Sequence, residues 1–191
     1  MKRFIALSIC ALVLFTFATK AGSQGGDGPL TDAELEALRS TAPIPPERIR
    51  VFERILDDRA KIIQDLLRKP RQVSFASDMH DAIDQLGQIA DEFSDNLDDF
   101  NEHHRDVRKV LPKLAQDTER WLLVLHSLPD SDRYDVVRKI AITSVTDLRS
   151  LTKDLQLKQD AYFKDHPDIS QREKDKRSSP QSLIANNLLQ H

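Results

Sequence analysis

The stretch MHDAIDQLGQIADEFSDNLDDFNEHHRDVRKVLPKLAQDTERWLLVL, residues 79–125, carries two interleaved series. Met79, Leu86, Phe93, Phe100, Val107, Leu114 and Trp121 stand seven residues apart. Ile83, Ala90, Leu97, His104, Leu111, Thr118 and Leu125 repeat at the same spacing, offset by four. A helix places both series on one face, so the segment reads as helix whose stripe meets a neighbour along its length. Pro112 falls inside it, and a proline in a helix interior costs about 3 kcal/mol. The phase nevertheless continues through Leu111, Leu114, Thr118 and Trp121, which favours a kinked, collinear helix over a reversal of the chain. On this reading His104 lies in the apolar seam.

Helical signals flank the stripe on both sides. Upstream, Thr31 is placed to cap a short helix with Glu34 reaching back and Leu30 stapled onto Leu35. Pro43, Pro45 and Pro46 end that helix, and Pro46 suits the first turn of a second one over about 46–69. Its apolar face is Ile49, Phe52, Leu56, Ile63 and Leu66, and Pro70 stops it. Downstream, Pro129 to Asp132 supplies a turn and cap for a last helix over about 131–164, with Tyr134, Val137, Ala141, Ser144, Leu148, Leu151 and Leu155 on one face. Glycine supports the same reading. Of five glycines in 191 residues, four lie between 22 and 28, and only Gly87 remains for the rest. Hairpins and phosphate-cradling loops draw on glycine for positive φ, so a sheet-rich fold is not expected and a Gly-rich nucleotide site is excluded. The fold class is all-α: an elongated antiparallel helical bundle with long coiled-coil-like helices over 31–165.

The ends read differently from the bundle. Met1, Lys2 and Arg3 precede an uncharged run from Phe4 to Thr19, followed by small residues, which is the layout of a secretory signal peptide over 1–21. Cleavage is expected near Ala21 or Ser23, leaving a flexible leader over 22–30. Lys2, Arg3 and Lys20 leave with the signal, so 25 basic residues face 31 acidic ones. Cys10 leaves too, and the exported chain then has no thiol for a disulfide, a metal or a nucleophile. The expected location is periplasmic or secreted, with membrane contact only through the N-terminal segment before cleavage. Residues 166–191 read as a disordered charged tail with a short terminal amphipathic helix at Leu183, Ile184, Leu188 and Leu189.

Charge is uneven along the bundle. Glu47 to Arg71 holds eight basic and five acidic residues, whereas Ser77 to Asp106 holds ten acidic residues and one basic one, Arg105. These two segments are expected to pack antiparallel. The acidic stretch reads first as a solvated face and second as a dock for cations or a basic partner. Nucleic acid is excluded as a direct partner, because phosphate binding needs a basic surface.

Chemistry-bearing motifs are few. Asp95, Asp99 and His103 share a helix face at i, i+4 and i+8, a ligand spacing suited to Zn²⁺ or Ni²⁺. No Glu-x-x-His partner motif, zinc-protease motif or nucleophile elbow accompanies them. Neither an enzyme nor a bound cofactor is expected. Leu30-Thr31-Asp32-Ala33-Glu34 is similar over five residues to the Leu-Thr-x-x-Gln motif of small exported helical proteins of the Spy and CpxP type, with Glu34 in place of Gln and no second copy. The functional expectation is an exported, non-enzymatic helical interaction, scaffold or chaperone-like protein of the cell envelope, binding a protein partner or itself. The alternative is a metal- or small-ligand-binding sensor using Asp95, Asp99 and His103.

Overall fold

The computed structural model describes residues 28–70 and 73–169. The expected signal peptide, its cleavage site and most of the leader and charged tail lie outside the described residues. Among the described residues five complete helices follow one another: α1 (Asp32–Ser40), α2 (Pro45–Arg68), α3 (Phe75–Glu102), α4 (Leu111–His126) and α5 (Asp135–Asp165). No strand occurs among the described residues, and none of these helices is long and apolar enough to cross a membrane.

The local signals at the start of the bundle act as the sequence predicts. Thr31 caps α1, its hydroxyl accepting from the Glu34 N–H at 3.3 Å while the Thr31 N–H donates to Glu34 Oε2 at 2.7 Å. The same Glu34 carboxylate receives both terminal nitrogens of Arg59 at 2.9 and 2.8 Å, and Arg59 also donates to the Pro29 carbonyl at 3.0 Å. One carboxylate thus caps α1 and ties it to α2. Pro45 and Pro46 occupy the first turn of α2, where a missing N–H leaves no intrahelical bond unmade.

α2 and α3 pack antiparallel: Phe52 stacks on Phe93 at 4.7 Å between centroids, and Arg48 donates to Asn96 Oδ1 at 2.7 Å. The neighbours are those that charge balance indicated. Yet no ion pair joins them among the described residues; the contact is aromatic and polar.

The long stripe behaves otherwise. It belongs to two helices running in opposite directions, not to one kinked helix. α3 ends at Glu102 in a Schellman motif, with the Arg105 N–H donating to the Phe100 carbonyl at 2.8 Å and the His104 N–H to the Asn101 carbonyl at 3.1 Å. His104 supplies the left-handed residue the motif needs, at φ 49°. Pro112 then sits in the first turn of α4, where it costs nothing. The phase survives because both helices and the loop between them face the same core: Val107, Leu111, Leu114, Thr118, Trp121 and Leu125 are all buried. His104 is the one member of the two series that the structure places at the surface.

α5 runs parallel to α3, with Gly87 against Ala141 near one end and His104 stacked on Tyr162 at the other. It runs antiparallel to α4, with Arg149 paired to Glu119 at 2.7 Å. α2 and α4 lie side by side and parallel, joined through Glu53 to Lys113 and Asp57 to Trp121. The ring order is therefore α2, α3, α5, α4, and the α3–α4 connection crosses a diagonal. Antiparallel packing holds for two of the four sides only. The crossing loop is held from α5: Gln159 accepts from the Val107 N–H at 3.1 Å and donates to the Arg105 carbonyl at 2.9 Å.

Candidate interaction surface

α3 buries Met79, Ile83, Leu86, Ala90, Phe93, Leu97 and Phe100. Its opposite face carries Asp81, Asp84, Gln88, Asp91, Asp95, Asp98 and Glu102, spaced alternately by three and four residues. At 1.5 Å per residue this row runs about 30 Å. No lysine or arginine interrupts it anywhere between Phe75 and Glu102.

On the other helices some surface carboxylates meet cations, while Asp58, Asp147 and Asp154 stand exposed without an ion pair among the described residues. Asp57 meets Arg120 at 2.5 Å, Asp65 meets Arg68 at 3.0 Å, and Asp135 meets Lys139 at 3.2 Å. On α3, Asp91, Asp95, Asp98 and Glu102 make no ion pair or side-chain hydrogen bond among the described residues. The end of the helix sharpens the contrast. α1, α2, α4 and α5 each place a basic residue in the last turn, where the helix dipole is negative; α3 places none. Carboxylates repeated at helical spacing and crowding that end cost α3 on the order of 1 kcal/mol or more.

The predicted ligand trio lies on this face. His103 is the C-cap of α3, its Nδ1 2.9 Å from the Asp99 carbonyl and 3.2 Å from Asp99 Oδ1. Asp95 lies a turn earlier and joins neither. The structure brings two of the three together, and no group of three His, Cys, Asp or Glu among the described residues is arranged to hold a metal ion.

Beside the C-terminal end of α3, Tyr162 is sandwiched between two imidazoles, His104 at 4.0 Å and His166 at 4.4 Å between centroids. A cleft of about 190 Å³ opens there, walled by Asn101, His104, Lys158, Gln159, Tyr162 and Phe163. The Gln159 amide is already engaged with the loop, so the remaining polar groups are few and exposed. No nucleophile lies beside a base in this wall.

A second charged group escaped the sequence reading because its members come from two helices. In the seam between α2 and α4, Lys113 Nζ lies 3.2 Å from Glu53 Oε2 and 2.5 Å from Asp117 Oδ2. Arg120 reaches the other Asp117 oxygen at 3.2 Å and Asp57 at 2.5 Å. The Trp121 indole N–H donates to Asp57 at 2.7 Å. The Glu53 and Asp117 side chains are only 6% and 4% exposed, so both carboxyls are removed from water. Burial pushes the Glu53 carboxyl above its ordinary value; the Lys113 ammonium pulls it back, and Asp117 pushes it up again. One signal was available: Glu53 follows Ile49 and precedes Leu56 and Ala60 on the buried face of α2, where a carboxylate has no ordinary reason to be.

Comparison of the chain with protein-family models, curated proteins and solved structures finds no match.

Proposed function

We propose that this chain is an exported, non-enzymatic interaction protein of the cell envelope that binds a basic protein partner through the outer face of α3. One observation carries the reading: a row of carboxylates about 30 Å long at helical rise runs along one helix face with no lysine or arginine anywhere on that helix, whereas the unpaired carboxylates of the other helices are interspersed with cations. Such a row costs folding stability, and a cationic partner offsets that cost on binding. Its field also speeds encounter with positively charged surfaces. Export rests on the basic-then-apolar start of the chain and the small residues that follow it.

The test is calorimetric titration of the purified chain with an oligolysine peptide at low and high salt. Two variants are compared. Asp91→Asn, Asp95→Asn, Asp98→Asn and Glu102→Gln together remove four charges from the row. Asp32→Asn, Asp132→Asn, Asp147→Asn and Asp154→Asn remove four elsewhere. The first set is expected to weaken binding about tenfold or more and to flatten its salt dependence, while the second leaves both nearly unchanged. Equal loss in the two variants would reduce the effect to net charge and refute the assignment.

A further inference from the structure

The seam between α2 and α4 is built around an imbalance. Three carboxylates, Glu53, Asp57 and Asp117, share two cations, Lys113 and Arg120. Glu53 Oε1 is buried and has no hydrogen-bond donor, although its partner oxygen Oε2 faces Lys113. One ammonium, Lys113, touches both the Glu53 carboxylate at 3.2 Å and the Asp117 carboxylate at 2.5 Å, so the two carboxyls stand side by side, and two carboxylates cannot satisfy one another: each is acceptor only. A proton on Glu53 turns its carboxyl into a donor that can face Asp117 and balances the charge of the cluster.

We propose that Glu53 and Asp117 form a proton-holding latch between α2 and α4. With the proton on Glu53 the seam is closed. Without it, the three negative charges of Glu53, Asp57 and Asp117 share only Lys113 and Arg120, and α4 is released from α2. Every group that meets this pair supports the reading. From α4 come Lys113 and Arg120, both engaged with Asp117; along α2, Asp57 is occupied by Arg120 and Trp121. On its other sides α2 meets α1 through the Arg59–Glu34 pair and α3 through Phe52–Phe93 and Arg48–Asn96, and none of these supplies a second cation to Glu53. The direction of the Glu53 shift agrees with the geometry: a carboxyl raised above its ordinary value of 4.5 contributes stability that is complete below that value and is lost as pH rises through the folded-state value.

Trp121 is the only tryptophan in the chain and stands in the seam, so it reports directly on the latch. The experiment follows Trp121 emission and the urea midpoint of the purified chain from about pH 5 to pH 9, in the parent and in Glu53→Gln. The Gln variant keeps the shape of the side chain and removes the titration. The parent is expected to lose stability relative to the variant as pH rises over this range, its urea midpoint falling while that of the variant holds, with Trp121 emission moving to the red only in the parent. Parallel pH profiles would overturn the latch, because a merely structural Glu53 would shift stability equally at every pH. Carbon-13 NMR of the Glu53 carboxyl in the parent tests the latch without depending on any variant folding: titration at or below 4.5 refutes the proposal, and titration above it supports it.

Discussion

Gly87 stands in mid-α3, where an alanine would favour the helix by about 1 kcal/mol, so its presence needs a packing reason. A Cβ built on it would lie 3.2 Å from the Ala141 Cα and 3.3 Å from the Ala141 Cβ. Carbon atoms pack comfortably at about 3.5–4.0 Å, so even a methyl group requires the α3 and α5 backbones to part by a few tenths of an ångström. For Gly87→Ala the propensity gain and the crowding are expected to cancel, leaving stability within about 0.5 kcal/mol of the parent. Gly87→Val adds two further methyl carbons and has a smaller propensity gain. The overpacking then wins, and we expect a loss of about 2–3 kcal/mol. In an Ala141→Gly background the valine should recover about 1 kcal/mol or more, because its nearest side-chain obstacle is gone. Urea denaturation followed by far-ultraviolet circular dichroism measures all four variants. A Gly87→Val protein more stable than the parent would mean that α3 and α5 do not meet there. The parallel register of these two helices would then be wrong.

Two further predictions concern the ends of helices. Pro112→Ala is expected to change stability by less than about 1 kcal/mol, since a proline in the first turn is tolerated; a gain of about 3 kcal/mol in thermal or urea unfolding would restore the kinked, continuous helix. Glu34→Ala removes one half of the α1 capping box and strands the buried Arg59 guanidinium, costing about 3 kcal/mol and opening α1 to hydrogen exchange before the other helices. Its pH signature is opposite to that of Glu53. Burial alone would raise the Glu34 carboxyl, but hydrogen bonds from Arg59 and the Thr31 N–H, with the Arg59 charge, hold it below 4.5. Its contribution is therefore present above 4.5 and lost as pH falls through the folded-state value, so acid unfolding of the parent should steepen there and that of Glu34→Ala should not.

The carboxylate row on α3 was legible in the sequence, because one helix and its 3.6-residue period suffice to put Asp91, Asp95, Asp98 and Glu102 on one face. That the row lacks counter-charges was not, since any of the arginines on α2 stood close enough in the chain to pair with it. The Asp95, Asp99 and His103 trio was read from the same periodicity. It fails to converge at its first member: His103 at the helix end reaches Asp99, while Asp95 a turn earlier joins neither. The buried Glu53–Asp117 pair needed the tertiary structure altogether, because its two halves are 64 residues apart in sequence.

The sequence by itself determined the helices and their buried faces. Periodicity, the Thr31–Glu34 capping box and prolines at helix starts are all local, each acting within a turn or two of backbone. The reversal after Glu102 was decided elsewhere. Its stop signal is a histidine in the left-handed conformation, where chain chemistry alone favours glycine, and that conformation is accompanied by contacts from distant residues: Tyr162 stacks on His104, and Gln159 holds the two backbone groups that follow. A heptad stripe records which side chains are buried, not whether one helix or two bury them. The direction of the chain between α3 and α4 is set by α5, which follows both in sequence and closes the ring between them.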